Sequence, residues 1–292
     1  MRAIFKLCLI MITSEEISTH LQHFTKPRDP FFNSSHHFFA NSYIKEAMTP
    51  YGEIETQPFE FQQMSLENII LHLPCKYPER PSIIIGAHYD TVPECPGVDD
   101  NGSGVAVLLA LAKALGDRIY DSPIRLVAFD MEEYLLMGSE YYSQTLKVRQ
   151  EQVQVMISLE MLGYITDQKN SQKYPGGLKY FYPNQGNFIA LIGNLKSIGS
   201  MNQICGHIKR AGAPCEWLPV PLKGKPLPAV RRSDHAPFWD AGYPAMMMTD
   251  TADFRNPHYH QTTDTLETVN IEFMTQIANG LVTAIATMAK AN

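Results

Sequence analysis

Residues 83–104 read IIIGAHYDTVPECPGVDDNGSG, and the fold is decided by how this stretch is divided. Ile83, Ile84 and Ile85 form a short β-branched run without polar alternation, the pattern of a strand buried on both faces. Charged residues begin only where the run ends. His88 and Asp90 sit just past the strand, while Asp99 and Asp100 precede a glycine-rich entry into residues 105–115, an apolar helix. Strand, loop and helix in that order make one unit of an α/β sheet. Polar groups at strand ends in such a sheet face the ligand crevice.

The pattern continues on either side. Residues 69–73, Ile124–Phe129 and residues 153–159 read as strands, with a helix at 140–146 between the last two. Residues 188–192, residues 215–218 and Ala245–Thr249 are further strand candidates, and residues 195–211 read as a helix. In Ile271–Met288 one stripe holds Ile271, Met274, Ile277, Leu281, Ile285 and Met288, as in an amphipathic helix docked on a sheet. Residues 14–24 have a candidate N-cap serine and early acids, and are closed by Lys26-Pro27. A second helix is expected at 35–47, ending before Pro50. Residues 167–177 and 219–228 read as long loops, where sites tend to be built. The expected architecture is an α/β sandwich of three layers: residues 1–50 form a helical segment packed on the core, and residues 51–292 form one globular domain.

Composition agrees with an ordinary globular protein: 45% hydrophobic and 18% charged residues over 292 positions. The net charge of -6, without a Lys/Arg cluster, argues against a nucleic-acid partner. Five scattered cysteines without a CxxC pair suggest neither a disulfide framework nor a cysteine metal site, although Cys205 and Cys215 are free to pair in an oxidising compartment. Residues 1–13 imitate a signal peptide, but the apolar run is too short to span a bilayer and lacks a small-residue cleavage pattern. A cytoplasmic location is therefore expected, with periplasmic or secreted as the alternative.

The candidate chemistry lies in four places. A lone histidine after a strand is most often structural. Nearby carboxylates change that reading for His88, because imidazole and carboxylate together suit zinc. Asp90 is placed to reach the second nitrogen of His88 and fix its tautomer. The strand IRLVAFD runs into Met131-Glu132-Glu133, a pair of acids that repel each other unless a cation or a proton intervenes; a solvated helix N-terminus is the plainer alternative. Glu160 is a charge among apolar residues and needs a partner. The loop 256–264 adds His258 and His260, which cannot both be assumed to be ligands.

HYDT (88–91), VDDNGSG (98–104), DMEE (130–133) with MGS (137–139), SLEMLGY (158–164), SDHAPFWDAGYPA (233–245) and NPHYHQTTDT (256–265) resemble the successive signatures of the di-zinc aminopeptidases. These form the twenty-eighth metallopeptidase family, which also contains glutamate carboxypeptidases and is related to glutaminyl cyclases. The resemblance runs in order from about Ile83 to the C-terminus. It implies a mixed, mostly parallel central sheet and a peptide substrate. It also implies two zinc ions per chain, held by His88, Asp99, Glu133, Glu160 and His260, with Asp99 bridging. Glu132 would be the general base, Asp90 the orienter of His88, Asp234 a member of a hydrogen-bond network near the metals, and His235 a packing residue. A cis peptide is implied between Asp99 and Asp100.

There are departures from the family pattern. Leu135 stands where many relatives have glycine, Glu160 where several have aspartate, and Arg231 and Arg232 where some aminopeptidases have a tyrosine before Ser233-Asp234. Arg231, Arg232 and Arg255 are candidates for stabilising an oxyanion or receiving a substrate carboxylate, with a solvated arginine the plainer alternative. Leu135, Leu136 and Met137 are candidates for a pocket around the first side chain, with core packing an equal alternative. The expected activity is that of an aminopeptidase. A single-zinc glutaminyl cyclase, a carboxypeptidase and a non-catalytic binding domain are the rivals; the sequence leaves the oligomeric state open.

Overall fold

The computed structural model describes residues 10–290; residues 1–9 of the signal-like stretch lie outside the described residues. Eight strands are present among them: β1 (Glu53–Phe61), β2 (Met64–His72), β3 (Ser82–His88), β4 (Ile124–Phe129), β5 (Val153–Glu160), β6 (Ile189–Asn194), β7 (Cys215–Val220) and β8 (Ala245–Thr249). They form one sheet in the order β1-β2-β4-β3-β5-β8-β6-β7. The pairs β3-β4, β3-β5, β5-β8 and β6-β7 are parallel, and β1-β2, β2-β4 and β6-β8 are antiparallel. The sheet is therefore mixed and mostly parallel, as expected.

Among the described residues seven α-helices cover it: α1 (Ser14–Leu21), α2 (Ser34–Met48), α3 (Gly104–Gly116), α4 (Met137–Val148), α5 (Ile198–Arg210), α6 (His235–Ala241) and α7 (Ile271–Met288). Successive strand residues point to opposite faces, so β3 serves two cores. Ile83, Ile85 and Ala87 join Leu126, Ile157 and residues of α1, α2, α3, α5 and α7 on one side. Ile84 joins Ile70, Val127 and Met156, with Tyr142 of α4 and Phe238 and Trp239 of α6, on the other. Nearly all of α3 is buried because it lies between the sheet and α1 and α7. The chain ahead of α1 is fastened to α7 by a two-way amide clasp: the Ile12 N–H donates to Asn279 Oδ1 at 2.8 Å, and Asn279 Nδ2 donates to the Ile12 carbonyl at 2.9 Å.

The sequence reading misses β1 and shortens β2. These strands form a hairpin at the sheet edge, where Pro58 is tolerated because an edge strand has one side unpaired. Their connection is Gln62-Gln63, both with positive φ (46° and 68°), instead of the Asn-Gly type that announces such a turn. Helix α4 begins at Met137, three residues earlier than expected. Cys205 and Cys215 are joined by a disulfide between α5 and β7, with Cα atoms 5.6 Å apart, while Cys75 and Cys95 are free thiols. Among the described residues no helix is long and apolar enough to cross a membrane.

Register explains where the polar residues gather. His88 ends β3 opposite Phe129 of β4, and Gly86 lies opposite Ser158 of β5, two residues before Glu160. Three adjacent parallel strands thus deliver His88, the Asp130–Glu133 turn and Glu160 to one end of the sheet. The close fit of β3 to β4 has a measurable consequence. A Cβ added at Gly86 would lie 2.3 Å from Cε2 of the buried Phe129 ring. Gly86→Ala is therefore expected to lower the unfolding free energy by ~1–3 kcal/mol, read as a lower urea midpoint. A midpoint equal to the parent's would show that the ring can move aside.

Candidate active site

Two clusters of ligand-type side chains stand at the carboxyl end of β3, β4 and β5: His88 with Glu132 and Glu160, and Asp100 with Glu133 and His260. His88 is fully buried. Its Nδ1 faces the Asp90 carbonyl oxygen at 3.2 Å, an acceptor only, so the proton sits on Nδ1 and Nε2 is left for another partner. That Nε2 lies 3.4 Å from Asp100 Oδ1, 3.7 Å from Glu160 Oε2 and 3.8 Å from Glu132 Oε2. Its tautomer is thus set by the Asp90 backbone more than by the carboxylate expected to do it, whose Oδ1 stands at 3.4 Å. The Asp90 carboxylate instead accepts the N–H groups of Glu132 and Glu133, each at 3.1 Å, and holds their turn against the β3 exit.

The aspartate between the two clusters is one residue later than expected. Asp100 carries its two oxygens between the imidazoles, Oδ1 toward His88 and Oδ2 3.1 Å from His260 Nε2. Asp99 points away: its Oδ1 accepts the Gly163 N–H and its Oδ2 accepts Asn256 Nδ2, both at 2.8 Å. Neighbouring side chains leave this loop on opposite sides, and the backbone is pinned by Asp264, whose two oxygens accept the N–H groups of Asp99 and Asp100. The cis peptide likewise lies one bond later than expected, between Asp100 and Asn101.

The other expected residues divide clearly. His260 Nε2 is 3.3 Å from Glu133 Oε2, whereas His258 bonds Thr263 and is not part of either cluster. Glu160 accepts the Ser233 hydroxyl at 2.7 Å. Asp234 is fully buried among the charges of His88, Glu160 and Asp90, and burial pushes its carboxyl up to about 7. His235 packs edge-on against Trp239, as expected. Arg231 is not brought to the site: it donates to the Lys223 carbonyl and to Asp240 on the outer side of the loop. Arg255 is buried, donating to Gln172 and to the Phe188 carbonyl, and is not part of either cluster.

Beside Glu160 opens a cavity of about 100 Å³ with mainly apolar walls, including Tyr174, Leu178, Phe188, Trp217, Met247 and Phe254. Leu135, Leu136 and Met137 are absent from these walls. Leu135 is 89% exposed, and Met137 packs against the small core of Phe59, Leu66 and Met131. Arg232, a candidate from the sequence and here paired with Asp253, lines the cavity, as does Tyr259, to which the sequence reading gave no role and whose ring stacks 3.8 Å from that of His260. The signal for Tyr259 was its position between two histidines.

Charge crowding governs the titration of these groups. Burial, reinforced by Glu160, Glu133 and Asp234, lifts the Glu132 carboxyl well above the carboxylate range, against the pull of His88. Burial and Asp100 raise Glu133 to about 7. Burial works against protonated His88 and His260, but the surrounding carboxylates win, raising His88 well above its ordinary value and His260 to about 10. The same two histidines hold Asp100 below its ordinary value despite burial. A group whose pKa is raised on folding stabilises the fold while protonated, and that contribution fades as pH climbs through the folded value. For the ion-free protein the window runs from the unfolded carboxylate range near 4.5, through about 7, to about 10. Chelated protein is therefore expected to have a lower urea midpoint at pH 8 than at pH 6. Divalent-ion binding should release protons and tighten over the same interval, measurable by calorimetry in two buffers. A chelated protein equally stable at both pH values would contradict this charge assignment.

The sequence pattern of Peptidase family M28 matches residues 68–197 and 209–285. The Escherichia coli protein YfbL is 34% identical over 260 residues, covering 83% of this chain and 78% of that protein. An aminopeptidase from Aneurinibacillus superposes with a TM-score of 0.75 at 16% identity, covering 96% of this chain and 95% of that one, a likeness of fold. BSAP, a zinc aminopeptidase from Bacillus subtilis, superposes with a TM-score of 0.56 at 26% identity, covering 78% of this chain and 51% of that one. With the two clusters in the places that the motifs announced and most of its length matched, the chain belongs to peptidase family M28.

Proposed function

We infer that this protein is a zinc-dependent aminopeptidase that holds two zinc ions, one through His88, Glu160 and Asp100 and the other through Glu133, His260 and Asp100. The observation that carries the reading is the Asp100 carboxylate reaching one imidazole with each oxygen. The donor set fits: imidazole and carboxylate are ordinary zinc ligands. Among the described residues, the buried His88 Nε2 has no hydrogen-bond partner, a costly state for a polar atom unless something electrophilic is bound there. Zinc in such a site supplies a water of lowered pKa and polarises the scissile carbonyl.

The rest follows from the side chains. Glu132 stands beside both ligand groups, and its lifted proton affinity suits it to take a proton from the attacking water and return it to the departing amine. The Tyr259 hydroxyl is kept protonated by burial and by Asp100, so it remains a donor for a developing oxyanion at the cavity mouth. The aromatic and aliphatic walls fit a large apolar first side chain. Selectivity for the amino end follows from charge. The cavity opens beside Glu160 and the acid clusters, which attract an ammonium; of the cations lining it, Arg232 is paired with Asp253 and Lys173 is exposed to solvent. A carboxypeptidase needs a free cation at that point. A single-zinc cyclase would need only one of the two ligand groups, whereas both are built here.

Glu132→Gln is expected to keep both zinc ions while hydrolysis of a leucyl amide falls by at least about 10²-fold; undiminished turnover would remove Glu132 as the base. Asp100→Asn should lose zinc on dialysis and Asp99→Asn should retain it, measured as metal per folded chain. The reverse pattern would restore Asp99 as the bridge. Peptides with an acetylated amino end should resist cleavage, and equal cleavage of blocked and free peptides would overturn the aminopeptidase reading.

A further inference from the structure

The segment ahead of the family match, residues 28–37, makes its polar contacts with the loops that carry the ligands. Arg28 is buried at 1% exposure, and its guanidinium donates to five carbonyl oxygens: Phe24, Lys26, Tyr89, Pro96 and Gly97, at 2.8–3.0 Å. Three of these carbonyls belong to the loop between β3 and Asp99. The Arg28 N–H adds a bond to the Thr91 hydroxyl at 2.8 Å. Asp29 accepts the N–H groups of Phe31 and Phe32 with one oxygen and the Tyr134 hydroxyl with the other. Tyr134 follows Glu133 directly. Phe31 packs edge-on against its ring, 5.0 Å between centroids.

His37 of α2 completes the set. Its Nε2 lies 2.8 Å from Asp130 Oδ1, while Asp130 Oδ2 accepts the Tyr89 hydroxyl at 2.7 Å. Asp130 also accepts the Met131 N–H at 2.9 Å, so it fixes the start of the turn that presents Glu132 and Glu133. Tyr89 stands between His88 and Asp90. The contacts from residues 28, 29 and 37 thus converge on both sides of the site: the loop after β3 and the turn after β4.

We propose that Arg28, Asp29 and His37 are positioning residues, an N-terminal clamp lying ahead of the family match that sets Asp100 and Glu133 at zinc-binding distance and Glu132 beside them. None of the three touches substrate or reacting atoms. They act through carbonyls, Tyr134 and Asp130, the supporting shell on which ligand geometry depends, and loss of such partners commonly weakens metal binding 10–100-fold. The inference rests on the two-zinc reading above.

The test compares Tyr134→Phe, Asp29→Asn, the double variant, His37→Phe and His37→Gln in the full chain, with zinc alone as the probe. Tyr134→Phe removes a single hydroxyl at a half-buried position, so the chelated variant should melt with the parent. Its zinc affinity should fall about 10-fold, and kcat on a leucyl amide should fall with KM held. Asp29→Asn should give the same losses without adding to them in the double variant. His37→Gln, which can still donate to Asp130, should recover part of the affinity that His37→Phe loses. A general structural role would instead lower the melting temperature of the chelated protein and leave the zinc affinity of its folded fraction unchanged. Parental zinc affinity in Tyr134→Phe and His37→Phe overturns the proposal. A parent that binds only one zinc overturns the two-zinc reading, and the clamp is then judged on that ion's affinity.

Discussion

Four carboxyl groups and two imidazoles share one largely buried space at the end of three parallel strands, and everything around them answers to that crowding. Like charges at such separations raise each other's proton affinity, and burial removes the water that would screen them. Two responses are open to the protein. The ion-free site takes up protons, as the raised values at Glu132, Glu133, His88 and His260 express. With divalent cations present, metal–ligand bonds replace those protons. The same electrostatics therefore makes the site weakly stabilising when ion-free and strongly ion-binding near neutral pH.

A cluster held only by mutual repulsion would spread apart, so the backbone fixes it. Asp90 ties the Glu132-Glu133 turn to the β3 exit, Asp264 pins the N–H groups of Asp99 and Asp100, and Asn101 accepts the N–H of Met161, the residue after Glu160. Each of these is a short polar side chain bonded to the backbone of another segment. Such bonds fix position without adding length or freedom, which explains why the motifs around the ligands hold so many Asp and Asn residues.

The sheet was legible because buried parallel strands are continuous apolar runs: β3, β4, β5 and β8 lie close to where the hydrophobicity placed them. The β1-β2 hairpin was not, because its turn gains its left-handed residues from Gln62 and Gln63 and its edge strand contains Pro58. At the site, residue types were legible and directions were not. Asp99 and Asp100 are identical in composition and adjacent, and only the loop's path decides which one faces His88 and His260. Composition is equally silent on Arg28, a lone arginine in a polar stretch whose five acceptors come from loops around residues 24–26 and 89–97.

The division between charge and apolar surface also explains how one site can choose an end of a peptide. The acids crowd where β3, β4 and β5 end, whereas the apolar walls of the cavity come from residues 174–188, β7, β8 and Phe254. An ammonium drawn to the acids with its side chain in the apolar cavity leaves the chain to continue away from the acids. A longer chain on the amino side has no such exit, because an amide in place of the ammonium brings no charge to offset the desolvated carboxylates. Selectivity for the free end is in this sense a consequence of the same uncompensated negative charge that draws in the metals.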